Sequence, residues 1–212
     1  MKKSWFFLLV VFTFQVIYPQ DFPINLPPKI SKGLKVLFIG NSLTYSNNLP
    51  KLVKKEIRSK GINLKTEMIA YPNYAIEDHW NDGKVQKLIA KNHYDFVIIQ
   101  QGPSSQEEGR NMLLSYGKKL KQLCESKNSQ LVYFMVWPSR TYYHTFDDVI
   151  TNHREAALKN GALLSSVGEE WKGYFDGTGD YSYYAKDGFH PSIKGSKVAA
   201  KIISQTLLKV KK

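Results

Sequence analysis

The 212 residues contain a single cysteine, Cys124. No internal disulfide can form, so the fold must rest on a buried apolar core, and Cys124 itself falls within a predicted helix as a core residue. Acids are scarce beside bases: 18 Asp and Glu face 30 Lys and Arg, for a formal net charge of +12. The lysines (Lys51, Lys54, Lys55, Lys118, Lys119, Lys121) are scattered over predicted helices and form no basic arm. They read as a solvated surface; the sharper alternative is attraction to acidic polymers such as uronic-acid polysaccharides or to anionic lipid. No segment repeats with a period of tens of residues and none is of low complexity, which excludes solenoids and fibrous arrays. There is no Walker-type or dinucleotide-type glycine loop. His93, His144 and His153 have no metal-ligand spacing with cysteine or acids. No metal and no cofactor are therefore expected.

The longest uncharged stretch stands at the start. Lys2 and Lys3 precede Trp5 to Tyr18, a mostly apolar run of fourteen residues. That is signal-peptide length and short of the roughly 20 residues that span a bilayer. Cleavage is expected near Gln20, although no small-x-small site marks it; an uncleaved anchor is the alternative. Residues 1–20 are read as a signal peptide and residues 21–33, with Pro23, Pro27 and Pro28, as an extended lead-in. Residues 34–212 are read as one domain. The mature chain would be periplasmic or secreted, with a net charge of +10 once two lysines are removed. An exported chain without a recognition motif is not expected to bind nucleic acid, and no stable membrane span is expected after cleavage.

Apolar runs alternate with helical patterns along this domain. Lys35–Ile39, Leu64–Ala70, Asp95–Gln100, Gln130–Val136 and a short Ala162–Ser165 read as strands. Helices are expected from Pro50 to about Lys60, Glu77 to Asn92, Glu107 to Lys127, Phe146 to Asn160, and Ser192 to Val210. Residues 173–191 read as loop, with Tyr181, Tyr183 and Tyr184 as a possible flap. Alternation of this kind gives an α/β fold: a three-layer α/β/α sandwich around a parallel sheet of about five strands, flavodoxin-like in outline.

Within it, the stretch KVLFIGNSLT places Ser42 just past the carboxyl end of the first strand and just before a helix. Ligands of open α/β sheets bind there. A serine becomes a nucleophile only with a base, an orienting acid and oxyanion donors. Asp187-Gly188-Phe189-His190-Pro191 supplies the acid and the base. Three residues apart on one turn, Asp187 can hold one imidazole nitrogen of His190 and leave the other for the serine proton. The plain alternative is that Asp187 is a turn residue and His190 part of the lead into the last helix.

In this order, GNSL early and DGFHPS late with Gly195 following, the chain resembles the SGNH (GDSL) hydrolase superfamily from about residue 34 onward. Trp137 after the fourth strand and VGEEW at Val167 to Trp171 make it most similar to an exported bacterial esterase branch. The resemblance implies the SGNH hydrolase fold, with Ser42 as nucleophile, His190 as general base and acid, and Asp187 as its orienter. It also implies a glycine after the second strand whose N–H serves the oxyanion; Asn73 stands there, an asparagine that tolerates positive φ and still carries an N–H. The usual Gly-x-Asn-Asp block after the third strand is replaced by Gln101-Gly102-Pro103-Ser104-Ser105. Gln101 is favoured over Gln100 and Ser104 as the third oxyanion donor. His79 and Trp137 are weaker candidates for the substrate wall.

The reading that follows is a serine esterase cleaving an ester, acetyl by preference, on a carbohydrate or similar substrate. The rivals are a lipase or lysophospholipase of the same fold, acyl transfer to a glycan hydroxyl, a catalytically silent glycan-binding domain, and a basic adhesion module.

Overall fold

The computed structural model describes residues 33–210. The expected signal peptide and almost all of the lead-in lie outside the described residues. Strand β1 (Gly33–Gly40) passes through the single-turn helix α1 (Ser42–Tyr45) and a 3-10 turn, Ser46–Asn48, into α2 (Leu49–Arg58) and β2 (Asn63–Ala70). Then come α3 (Ile76–Asn81), α4 (Lys84–Lys91), β3 (Phe96–Ile99), α5 (Glu107–Glu125) and β4 (Gln130–Phe134). A 3-10 segment, Arg140–Thr145, leads into α6 (Phe146–Lys159), β5 (Leu163–Ser165), α7 (Val167–Thr178) and α8 (Ile193–Lys209).

The five strands form one parallel sheet in the order β2-β1-β3-β4-β5. The inner strands β1, β3 and β4 are largely apolar on both faces because both faces are covered, whereas the edge strand β2 buries only Leu64 and carries Lys65, Thr66 and Glu67. Leu34, Val36, Phe38, Phe96, Ile98, Val132 and Phe134 point into one core with α2, α7 and α8. Leu37, Ile39, Val97, Ile99, Leu131 and Tyr133 point into the other with α4 and α5. Period-two alternation thus splits each strand between two layers. The chain leaves β1 for β2 on one side and reaches β3 on the other, so the carboxyl ends of β1 and β3 form a topological switch point, where a crevice opens. Among the described residues no helix is long and apolar enough to cross a membrane.

Three expectations need correction. The helix expected from Glu77 to Asn92 is two helices, broken where Gly83 adopts φ +70. The region expected as loop from residue 173 begins inside α7, which runs to Thr178 and ends on Gly179 at φ +67. Tyr183 and Tyr184 are no flap: both are buried, 8% and 6% exposed, against Trp171 and Phe175. Tyr181 packs partly buried beside them, its ring 5.1 Å from Phe175.

Candidate active site

Ser42 is the first residue of α1, and Asn41 caps that turn by accepting from Leu43 N. Gln100, at the end of β3, fastens the turn to the sheet. Its Oε1 accepts from Asn41 N (2.9 Å) and from the Thr44 hydroxyl (2.7 Å); its Nε2 donates to Asn41 Oδ1 and to Gln101 O. All four hydrogen-bonding positions of that amide are occupied. On the other side, His79 sends an Nε2–H to Gly40 O at 2.8 Å. Gly40 O also accepts from Tyr71 N.

His190 reaches Ser42 from the loop before α8. Its Nε2 lies 3.0 Å from Ser42 Oγ, and its Nδ1 lies 2.7 Å from Asp187 Oδ2. Asp187 Oδ1 accepts the Phe189 and His190 backbone N–H groups, both at 3.0 Å. Partial burial pushes the Asp187 carboxyl up, but these donors and the His190 ring outweigh it and hold it below the ordinary range. An ionised Asp187 selects the His190 tautomer that carries its proton on Nδ1, leaving Nε2 as the acceptor for the Ser42 proton. The loop is held from several sides. Gly188, at φ +68, accepts from Arg140 N; Ala185 N donates to His190 O; Asn47 Nδ2 donates to Pro191 O and to Ser196 Oγ.

Ser42 opens onto a cleft of about 440 Å³ lined by Asn73, Gln101, Gly102, Ser104 and Phe189 among others. Tyr71-Pro72-Asn73-Tyr74 is a turn closed by Tyr74 N to Tyr71 O, with proline second and Asn73 third at φ +60. That is the type II pattern, which demands a residue tolerant of positive φ in third place. No described protein group accepts from the Ser42 N–H or the Asn73 N–H.

No family model and no curated protein matches the sequence. Solved structures do match. A protein from Slackia heliotrinireducens assigned to the SGNH hydrolases is 25% identical, with a TM-score of 0.67 over 82% of this chain and 99% of its own. A lipase/acylhydrolase from Enterococcus faecalis is 17% identical, with a TM-score of 0.65 over 82% and 95%. An acetyl xylan esterase from Geobacillus stearothermophilus is 15% identical, with a TM-score of 0.68 over 84% and 96%. The fold is that of the SGNH hydrolases.

Within this SGNH fold, several candidates stand elsewhere than the sequence placed them. Gln101 offers no free side-chain donor: its Nε2 hydrogens go to Ser104 Oγ (2.7 Å) and Gly109 O (3.0 Å), and its Oε1 accepts from Ile76 N. The Gly109 carbonyl at one end and the Ile76 N–H at the other fix which end of the amide is nitrogen. Ser104 is likewise engaged, its hydroxyl donating to Gly102 O. Trp137 is fully buried, stacked on Trp171 at 3.5 Å, with its indole N–H on Phe189 O. It supports the His190 loop from beneath and forms no wall to the cleft. His79 is 1% exposed between the Tyr71 and Tyr74 rings and touches backbone only through Gly40. Sequence reasoning missed Asn47 and the structural use of Gln100; both act across long chain separations, which leave no local pattern.

Proposed function

We propose that this chain is an exported serine esterase that removes an acyl group, acetyl by preference, from a carbohydrate. The observation that carries the reading is the relay Ser42 Oγ–His190 Nε2 at 3.0 Å and His190 Nδ1–Asp187 at 2.7 Å, opening on a cleft with unpaired backbone N–H groups. The structural neighbours include esterases and a lipase, and one of them is an acetyl xylan esterase. The basic start and short apolar run at residues 2–18 support export.

On this reading Ser42 Oγ attacks the ester carbonyl while His190 Nε2 takes its proton, and ionised Asp187 stabilises the imidazolium. The carbonyl oxygen gains the charge, and the Ser42 and Asn73 N–H groups are the donors aimed at it. His190 then protonates the departing alcohol oxygen, and the acyl group remains on Ser42. Water, deprotonated by the same Nε2, attacks the acyl-serine. The acid leaves and the proton returns to Ser42.

The second reading, a silent glycan-binding domain of the same fold, draws on one observation: the side chains of Gln100, Gln101 and Ser104 are all engaged elsewhere and complete no third oxyanion donor. Hydrolysis of p-nitrophenyl acetate and longer-chain esters by the mature protein and by Ser42→Ala separates the two. The esterase reading expects acetate turnover that falls at least about 10³-fold in Ser42→Ala. A folded wild-type protein inert on every ester would establish the silent domain, and a preference for long chains would move the reading to a lipase.

A further inference from the structure

Beside the nucleophile's cleft lies a second, of about 580 Å³. Pro103, Gln106 and Phe189 line both, so the two clefts are adjacent and share that border. The second cleft contains neither Ser42 nor Asn73; its far side is built by Pro138, Ser139, Tyr142 and His144. We infer that this second cleft seats the sugar that bears the ester, with the Tyr142 ring as its stacking platform. The inference rests on the esterase reading and assigns the two parts of the substrate to the two clefts.

The first argument is placement. His190 must hand its proton to the departing alcohol oxygen, so the alcohol part lies on the His190 side of the carbonyl. Phe189 is the residue next to His190, its ring 5.2 Å away and edge-on, and it forms the shared wall. The oxyanion turn at Asn73 borders only the first cleft. An ester bound across Phe189 would keep its carbonyl over Ser42 and extend its alcohol into the second cleft.

The second argument is the lining. Tyr142 is 61% exposed, whereas Tyr183 and Tyr184 are buried. An exposed aromatic face offers the C–H face of a pyranose a flat apolar partner, and the phenol adds a polar edge. Around it the side chains of Ser105, Ser139 and His144 hydrogen-bond to no other described residue and are available to sugar hydroxyls. Prolines 103 and 138 supply rigid apolar flanks.

The third argument is rigidity. The segment carrying Tyr142 is tied to the His190 loop by Arg140 N to Gly188 O at 2.7 Å. Pro138 O accepts from the Tyr184 hydroxyl at 2.8 Å, and the Thr145 hydroxyl closes back on Tyr142 O. The platform and the general base therefore move as one piece, and little ordering remains to be lost on binding.

The experiment compares wild type, Tyr142→Ala and Tyr142→Phe on p-nitrophenyl acetate, on p-nitrophenyl decanoate, and on O-acetylated xylo-, cello- and chito-oligosaccharides. The expected result is that Tyr142→Ala lowers kcat/KM for an acetylated oligosaccharide, relative to p-nitrophenyl acetate, by about tenfold through KM, and that Tyr142→Phe retains most of it. Calorimetry with the non-hydrolysing Ser42→Ala protein should show the same oligosaccharide binding about tenfold more weakly when Tyr142→Ala is added. Equal loss on all esters, no effect on any oligosaccharide, or a selective loss on decanoate overturns the assignment; the last gives the cleft to an acyl chain. Failure of the esterase reading shows differently, as absent wild-type turnover of p-nitrophenyl acetate, while the calorimetric comparison still reports on the cleft.

Discussion

A Cβ at Gly40 would stand 2.3 Å from Thr44 Oγ1 and 2.4 Å from Gln100 Oε1. Crowding, and not a positive φ, explains the glycine before the nucleophile turn. Gly40→Ala would force Gln100 off the Asn41 N–H, so it is expected to cost on the order of 1–3 kcal/mol of stability and, on the proposed esterase reading, most of the turnover. Denaturant unfolding and p-nitrophenyl acetate kinetics on one preparation check both; an unaltered midpoint would mean that the Gln100 clamp is slack. His79 holds the same Gly40–Asn41 peptide by its other end, donating to Gly40 O. Loss of one buried hydrogen bond is worth about 1 kcal/mol, so His79→Ala is expected to lower kcat several-fold to tenfold with KM little changed. His79→Gln, which can keep a donor near Gly40 O, should recover part of that. A KM effect without a kcat effect would place His79 in substrate contact instead. Only part of the Ser42, Asp187 and His190 cluster is local: the acid and the base share one turn, whereas Ser42 meets His190 across 148 residues and was tied to it through the resemblance of the GNSL and DGFHPS blocks to the SGNH hydrolases. Gln100, His79 and Asn47 act across 59, 39 and 144 residues. No spacing announces such pairs. The misplacement of Gln101 has a different origin: its amide N–H groups are consumed within eight residues, by Ser104 and by Gly109 of the following helix.

At the scale of elements, the five strands and their sequence order could be read from the sequence, most plainly β1, β3 and β4, where a doubly covered parallel sheet leaves little polar interruption. Helix ends were harder where one residue decided them. Asn81-Asp82-Gly83 looks like a polar patch on a continuous helix, yet Gly83 at φ +70 stops α3 and starts α4. Nothing lies within 4 Å of a Cβ built on Gly83, so Gly83→Ala isolates the backbone angle from packing. It is expected to destabilise the protein by about 1 kcal/mol, and Gly83→Asn by less, because asparagine enters that region more readily. Urea midpoints rank the three proteins; equal midpoints would show that the α3–α4 junction can rebuild as one helix. The tyrosine-rich segment misled for another reason. Hydroxyls and neighbouring glycines suggested a surface loop, whereas Trp171 and Phe175 of α7 recruit the rings of Tyr183 and Tyr184 into the core.

The stability of the whole molecule should depend on pH in two stages, set by groups that no apolar pattern reveals. His153, on α6, is entirely buried; its Nδ1–H donates to Val149 O and its Nε2 has no partner. Burial drives its imidazole from 6.5 down to about 4. His79 moves in the same direction, burial outweighing the Gly40 carbonyl and the nearby Asp78 and Asp82. Unfolding returns both to ordinary values, so between about pH 6.5 and 4 the unfolded chain binds more protons and stability falls as pH falls. Carboxylates act lower down. Glu155, hydrogen-bonded to Arg110 and Lys159, sits at about 2 when folded, so the stability it lends is present above 4.5 and is lost as pH drops toward 2. The histidine stage therefore comes first. Unfolding free energy by urea is expected to drop by about 2 kcal/mol or more between pH 7 and pH 5. His153→Leu, whatever it does to the value at pH 7, should flatten that slope, leaving the residue due to His79. A slope unchanged in His153→Leu would mean that the imidazole is reached by water and titrates in the folded protein as it does in the unfolded chain.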